Sequence, residues 1–101
     1  MNELNELNDI TVSNNGDVYN KITHKLEKVY KTNYSPYYQY IIINDIKYFI
    51  HILVVMKYRP IYKCDTYDDY LKYNFIHIDS DTDNNNINNL KYTRKFIISL
   101  L

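Results

Sequence analysis

Apolar and polar side chains alternate in two stretches of the chain, and turn-forming residues interrupt each stretch. The first covers residues 10–19, with Asn-Asn-Gly-Asp at positions 14–17 in its middle. The second covers residues 37–50, is rich in Tyr and Ile, and contains the pair Asn44-Asp45. Alternation with a period of two, broken by Asn, Asp or Gly, predicts a β-hairpin in both places.

The period changes after the second hairpin. Apolar residues at helical spacing lie within residues 51–58, and a proline follows at position 60, which predicts a short helix. Residues 22–31 show no clear period and fit either a strand continuation or a turn-rich segment. Residues 59–73 predict a connecting loop with at most one helical turn.

The pattern in the last third of the chain predicts a strand, a polar loop and a second strand. Residues 75–78 alternate, residues 79–88 are mostly Asp and Asn, and residues 89–92 predict the partner strand. From Thr93 the pattern predicts the start of a helix that is cut short within residues 96–101. These elements predict a small α+β domain with β-hairpins and one short helix.

Composition limits the size of the core and the charge available for binding. A chain of 101 residues fits one small domain. Tyr accounts for 13 aromatic residues against 3 Phe, so we expect an aromatic-rich, wet core margin where hydroxyl groups find partners. Lys+Arg and Asp+Glu each number 12, so a phosphate-binding role would need a local basic patch.

The cysteine content and the apolar runs indicate a compartment. Cys64 is the single cysteine, no secretory leader opens the chain, and no apolar run approaches the ~20 residues of a membrane helix. We therefore expect an intracellular, reducing compartment (cytoplasm, nucleus or viral factory) and no membrane partner. Abundant Asn, Ile, Lys and Tyr indicate an AT-rich genome, such as that of a large DNA virus.

From residue 10 to residue 92 the order of these pieces resembles the HNH homing-type endonucleases. Three motifs carry the resemblance. The first is a Val-Ser-x-x-Gly-x-Val hairpin at Val12–Val18, and the second is a His-x-Leu-Val helix start at His51–Val54. The third is a core of His-x-Asp, Asn-Asn and Asn-Leu, formed here by His77, Asp79, Asn84, Asn85, Asn89 and Leu90. The resemblance implies a flexible N-terminus at 1–9, a modular DNA-binding segment at 10–60, and a truncated, degenerate ββα-metal (HNH-like) core at 61–101.

The resemblance also implies roles for residues. His77 corresponds to the general base, Asn89 ties the loop to the strand, and the remaining motif residues are structural: His51, Asp79, Asn84 and Asn85. A metal ligand is expected just before the base and another on the following helix, where this chain has Ile76 and Ile98. Isoleucine has no lone pair to offer a hard cation such as Mg²⁺, so we expect no metal cofactor and no cleavage.

Three functions remain open on the sequence. The favoured one is a catalytically inactive binding module for nucleic acid or for a protein. The second is a Mg²⁺-dependent nicking endonuclease whose metal is held by Asp79 and neighbouring loop oxygens. The third is an interaction subunit that uses exposed Tyr side chains and the apolar residues 96–101. The sequence does not give an oligomeric state.

The candidate phosphate contacts form one basic group, Lys91, Arg94 and Lys95. A solvated charged surface is the competing interpretation of that group. The alternation of Asp79, Asp81 and Asp83 resembles a cation-binding loop, but the Gly and closing Glu of a calcium loop are missing, so we expect these side chains to cap their own backbone. Tyr residues between positions 34 and 40 are expected to pack rather than to stack on bases.

Overall fold

The structure, a computed structural model, describes residues 7–95. Within that range the chain forms eight short strands, two α-helices and one 3-10 helix. Their bounds are β1 Ile10–Val12, β2 Val18–Asn20, β3 Lys25–Leu26, β4 Tyr30–Lys31, β5 Gln39–Ile43, β6 Ile46–Phe49, α1 Ile50–Tyr58, α2 Tyr67–Tyr70, β7 Tyr73–His77, the 3-10 helix Ile87–Asn89, and β8 Leu90–Arg94.

The strands form three antiparallel sheets, in the orders β1-β2-β3, β4-β5-β6 and β7-β8. Both hairpins predicted from alternation are present, as β1-β2 and β5-β6. The turn of β5-β6 is closed by the pair Ile43 and Ile46, and its two central residues, Asn44 and Asp45, have φ of 50° and 67°. Positive φ at both positions matches the twist of the flanking strands, and Asn and Asp tolerate it better than most residues.

The segment that the sequence left open contributes β3 and β4. Each has two residues, and each is the outer strand of its three-stranded sheet, paired with β2 and β5 respectively. Strands this short depend on the neighbour that supplies their hydrogen bonds, so their own sequence gives little period to detect.

Helix α1 passes through the centre of the hydrophobic core. It begins at Ile50, one residue before the predicted start, and its first six residues are all buried. A helix that is apolar on every side is expected where neighbours cover it on every side. Here they do, because α1 contacts β1, β5, β6, α2 and the 3-10 helix. Pro60 follows Arg59, where the helix ends.

Three tyrosines lie inside this core rather than at the margin where we expected them. Tyr48, Tyr67 and Tyr70 expose 0%, 4% and 2% of their surface. The Tyr67 hydroxyl accepts the Phe49 N–H at 2.8 Å, and the Tyr70 hydroxyl accepts the Ile61 N–H at 3.1 Å. Each of these hydroxyls satisfies a backbone donor that burial would otherwise leave unpaired, which makes full burial of the ring favourable.

The helix predicted from Thr93 is wrong for the residues that are described. Thr93 and Arg94 belong to β8, where they pair with Asn74 and Tyr73. The predicted remainder, residues 96–101, lies outside the described residues.

Polar contacts cross the predicted boundary at position 60, since Asn14 O accepts the Ile87 N–H at 2.8 Å. No helix between residues 7 and 95 is long and apolar enough to span a membrane.

Candidate functional site

The last residue of β7, His77, is the centre of the candidate site. It pairs with Leu90 of β8 and is 7% exposed. Because successive strand residues point to opposite faces, its neighbour Ile76 lies on the outer face, 43% exposed and opposite Lys91. The strand therefore buries the imidazole and turns the preceding side chain towards solvent.

A chain of hydrogen bonds holds the His77 imidazole. His77 Nε2 lies 2.7 Å from Asn85 Oδ1, Asn85 Nδ2 donates to Gln39 Oε1 at 2.9 Å, and Gln39 Nε2 donates to Asp83 Oδ1 at 3.3 Å. The other oxygen of Asp83 pairs with Lys31 Nζ at 2.8 Å. Strand β5 and the polar loop thus fix the ring from one side.

The direction of this chain follows from its last member. An ionised carboxylate only accepts hydrogen bonds, so Asp83 orients the Gln39 amide, which in turn orients the Asn85 amide. Asn85 Oδ1 then faces His77, whose Nε2–H is the donor. A neutral imidazole carries one proton, so the lone pair of His77 lies on Nδ1 in this arrangement.

A second buried histidine, His51, lies against the first. Their ring centroids are 5.2 Å apart, and His51 also contacts the rings of Tyr38, Phe49 and Phe75 at 4.8 to 5.6 Å. Burial, and secondly the charge of His77, lower the pKa of His51 from 6.5 to about 3. His51 is therefore neutral at physiological pH, and its Nδ1 has no hydrogen-bond partner among the described residues.

The polar loop between β7 and β8 folds around the Asp79 carboxylate. Asp79 Oδ1 accepts the Asp81 N–H at 2.8 Å and Asn89 Nδ2 at 2.9 Å, while Oδ2 accepts Asn84 Nδ2 at 2.9 Å. Hydrogen bonds from the Asn84 side chain, the Asp81 N–H and the Asn89 side chain hold the pKa of Asp79 below its ordinary value. Asp81 likewise accepts the Asp83 N–H at 3.0 Å, which is the backbone capping predicted for these residues.

Asn89 connects the two ends of that loop. Its Oδ1 accepts the Asp79 N–H at 3.0 Å, its Nδ2 donates to Asn84 O at 2.8 Å, and its backbone O accepts the Ile78 N–H at 2.8 Å. The structure thus brings together His77, Asp79, Asn84, Asn85 and Asn89, with His51 against the His77 ring. The catalytic and structural roles given to them remain predictions.

The turn of the first hairpin supports the loop from the opposite side. Gly16 has φ +89°, and a Cβ built on it would lie 2.9 Å from Asn85 Cβ and 3.0 Å from Ile50 Cγ2. The glycine therefore allows close approach of the turn to Asn85 as well as the positive φ. The side chain of Asn86 also bonds that of Asn15 in the same turn.

The side chains present around His77 do not fit the divalent cation that the resemblance implies. Ile76 supplies no lone pair, and no cluster of three or more His, Cys, Asp or Glu side chains suited to a metal occurs between residues 7 and 95. The second expected ligand position, Ile98, lies outside that range. Asp79 contributes one carboxylate, and its oxygens already accept three hydrogen bonds.

The predicted basic group divides between the two faces of β8. Lys91 lies on the outer face opposite Ile76, whereas Arg94 pairs with Tyr73 and its guanidinium lies 5.9 Å from the Tyr73 ring centroid. The Lys95 N–H bonds to Lys72 O at 3.0 Å, which brings Lys72 beside this end of the hairpin. Lys72, Arg94 and Lys95 are all exposed.

The sequence reasoning missed three contributors to these sites, and it expected a fourth, Asp83, only to cap its own backbone, whereas the Asp83 carboxylate contacts Gln39 and Lys31. Gln39 accepts a hydrogen bond from Asn85 and donates one to Asp83, which also pairs with Lys31. Lys72 lies beside the basic end of the hairpin. The contact between Gln39 and Asp83 spans 44 positions, and that between Lys31 and Asp83 spans 52. No local motif in the sequence marks such pairs.

Comparison with known proteins supports the fold. No protein-family model and no curated protein sequence matches the chain. Among solved structures, the chain is similar to the HNH homing endonuclease I-HmuI, in a structure titled as its DNA binding and cleavage, with a TM-score of 0.62 and 24% identity. The similarity covers 84% of this chain but 46% of that one, so the chain spans about half of that protein. The described residues have an α+β fold that is similar to the matching part of this HNH homing endonuclease.

Proposed function

We propose that this chain is a nucleic-acid-binding module with an HNH-like fold that does not hydrolyse phosphodiester bonds. The observation that carries the proposal lies at the end of β7. There His77 is held by a hydrogen-bond chain, while the adjacent position, at which the resemblance expects a metal ligand, has the exposed Ile76. Between residues 7 and 95, the groups that position the imidazole are in place, and the position just before His77 offers no cation ligand.

The energetic reason is the charge that develops during phosphodiester hydrolysis. In a metal-assisted nuclease the cation neutralises charge on the scissile phosphate and its leaving oxygen, which contributes several kcal/mol. A neutral imidazole can accept a proton, but it does not replace that cation. His77 alone is therefore expected to give no measurable cleavage.

The binding half of the proposal rests on the fold and on the placement of charge. I-HmuI, whose fold this chain shares, is described as binding DNA. The chain has a formal net charge of zero, so any attraction to phosphate must be local. Arg94 and Lys95 supply such a patch, with Lys72 beside them at 3.7 Å from the Asp69 carboxylate. Two to three phosphate contacts predict that log affinity falls with log salt with a slope of about −2 to −3.

Plasmid nicking combined with a gel shift tests the two halves separately. Purified protein is incubated with supercoiled plasmid and Mg²⁺ or Mn²⁺, and binding to the same DNA is measured at 50 and 200 mM salt. We expect salt-sensitive binding and no nicking. Nicking that disappears in His77→Ala would overturn the inactive half, and absent or salt-insensitive binding would overturn the nucleic-acid half.

A gain-of-function variant sharpens the test. Replacing Ile76 by Asp and Ile98 by Asn supplies oxygen ligands at both positions that the resemblance assigns to the metal. If ligand loss is the reason for inactivity, the double variant should nick plasmid in Mn²⁺. That activity should disappear again when His77→Ala is added to the same background.

The orientation of His77 favours a second candidate, a working nicking endonuclease. Its imidazole is held in one tautomer by Asn85, as a general base would need to be. In this alternative Asp79 and neighbouring loop oxygens would hold the cation. Isothermal titration with Mn²⁺ distinguishes the candidates, because the inactive module should show weak surface association alone, whereas the nuclease should show a stoichiometric site that Asp79→Asn removes.

A further inference from the structure

A cavity of about 270 Å³ opens beside the N-terminal turn of α1 and β7, apart from the hydrogen-bond chain of His77. At ~30 Å³ per water molecule, it has room for roughly nine waters, which is enough for one flat heteroaromatic ring. Five of its lining residues carry aromatic side chains other than histidine, and these are Tyr34, Tyr38, Phe49, Tyr73 and Phe75.

Apart from Lys95, the side chains that line the cavity are uncharged, and most of them are aliphatic or aromatic. His51 forms part of the lining, and because burial lowers its pKa to about 3 it carries no charge at neutral pH. Its Nδ1 is buried without a partner among residues 7–95, although buried polar groups are almost always paired. Such a lining disfavours an anion inside the cavity and suits a ring that has both π faces and polar edges.

Positively charged side chains lie at one side of the opening of the cavity. Lys95 lines the cavity itself, together with Asn74 and Leu71. Lys72 is joined to Lys95 through the backbone hydrogen bond at 3.0 Å, and Arg94 lies over the ring of Tyr73, which is another lining residue. Within the described part of the chain no carboxylate pairs with Arg94 or Lys95, so both charges are available to a phosphate.

We propose that this cavity binds a single unpaired nucleotide, with the base between the aromatic side chains and its phosphate on Lys95 and the neighbouring cations. The proposal rests on the nucleic-acid-binding function proposed above and specifies which form of nucleic acid is preferred. A base inside a duplex stacks on its neighbours and cannot enter. An unpaired base can, and stacking on aromatic side chains stabilises it there.

The probe is a DNA hairpin duplex that contains one unpaired 2-aminopurine, whose fluorescence falls when it stacks on an aromatic ring. A matched duplex with the same 2-aminopurine paired to thymine, and a single strand of the same sequence, complete the set. We expect the unpaired probe to bind at least tenfold more tightly than the matched duplex and to lose fluorescence on binding. An RNA version of the single strand shows whether the sugar matters.

Two variants locate the binding to the cavity. Tyr34 is 60% exposed, so Tyr34→Ala should fold normally, and Lys95→Gln removes the cation at the opening. Each is expected to weaken binding of the unpaired probe at least fivefold. The matched controls are Tyr62→Ala, at an 86% exposed tyrosine that does not line the cavity, and Lys21→Gln, at an exposed lysine in the turn between β2 and β3. Both should leave affinity unchanged.

The outcomes separate this inference from the proposed function. Equal affinity for the unpaired and matched probes, or full fluorescence in the bound unpaired probe, overturns the cavity while leaving a nucleic-acid-binding module in place. Equal losses in the controls and in the cavity variants also overturn it. No binding to any probe overturns both.

Discussion

The two faces of strand β7 differ sharply. On the inner face, His77 joins a chain of hydrogen bonds that reaches Asn85, Gln39 and Asp83. On the outer face, Ile76 and Ile78 are 43% and 55% exposed. The inner chain also attaches the polar loop to β5, so breaking it is expected to destabilise the fold. A ligand at position 76 would serve a cation alone, and its replacement by Ile costs the fold little. Under the proposed function, the positioning groups would be retained because they also support the fold, whereas a metal ligand at position 76 would not be needed.

The largest expected effect is on the turn that supports the inner face. Gly16→Ala places a Cβ within 3.0 Å of both Asn85 and Ile50 and forces a non-glycine residue to φ +89°. The combined strain and overpacking should lower the free energy of unfolding by about 3 kcal/mol. Urea denaturation followed by circular dichroism measures this change.

The loop on the other side of Asn85 offers the reverse substitution as a control. Ser80 has φ 65° although it is not glycine. Ser80→Gly relieves that conformation and should change the free energy of unfolding by less than about 1 kcal/mol. If Gly16→Ala proved as mild, the close approach of the first turn to Asn85 would be wrong.

The next largest effect concerns the hydrogen-bond chain. Asn85 is 2% exposed, and Asn85→Ala leaves the His77 Nε2–H and Gln39 Oε1 without their partner. Losing a buried partner on both sides should destabilise the protein by about 2 kcal/mol. The ¹⁵N shifts of His77 should also change, from an Nε2–H tautomer to a mixture.

Asn88 is the matched control for that change, since it is an exposed asparagine in the same part of the chain. Asn88→Ala should alter stability by no more than about 0.5 kcal/mol and leave the His77 shifts in place. Identical results for the two variants would mean that Asn85 does not orient the imidazole.

Local pattern was sufficient for the hairpins and for α1, because alternation, turn residues and helical spacing lie within a few positions of one another. It failed at Thr93, where pairing with Asn74 across the hairpin continues the strand. It also failed to place Tyr48, whose complete burial depends on a core that the whole chain builds. In both cases, contacts with residues distant in the sequence determined the structure.

The candidate site likewise contains residues that the sequence indicated and residues that it did not. The motif around His77 was visible because its residues are close in sequence. The groups that orient them were not, since Gln39 reaches Asn85 from 46 positions away. His51 was expected to have a structural role at a helix start. Its position against His77 and the resulting fall in its pKa come from burial, which no spacing in the sequence reveals.

A moderate effect is expected on the pH dependence of stability. His51 has a folded pKa of about 3 against an ordinary 6.5, so below pH 6.5 the unfolded chain binds a proton that the folded chain does not. The contribution of neutral His51 to the free energy of unfolding is therefore fully present above pH 6.5. It is lost as the pH falls from 6.5 to 3, by at most about 1.4 kcal/mol per pH unit. Urea denaturation at pH 7.0, 6.0 and 5.0 measures this slope.

His51→Phe provides the comparison, because phenylalanine keeps a ring among the neighbouring aromatic residues and does not titrate. Its stability should fall less steeply between pH 6.5 and 5 than that of the unmodified protein. Parallel slopes for the unmodified protein and His51→Phe would show that His51 is not a neutral buried group.

The smallest effect on stability is expected on the outer face. Ile76 is 43% exposed, so Ile76→Asp should cost no more than about 0.5 kcal/mol, in contrast to Asn85→Ala. The new carboxylate would lie on the outer face, one residue before His77, and would supply an oxygen ligand for Mn²⁺ there. Paramagnetic broadening of the His77 ring signals at millimolar Mn²⁺ should then appear in Ile76→Asp and be absent from Ile76→Asn at the same concentration. Equal broadening in the unmodified protein would mean that the loop already binds the cation, and the difference between the two faces of β7 would lose its functional meaning.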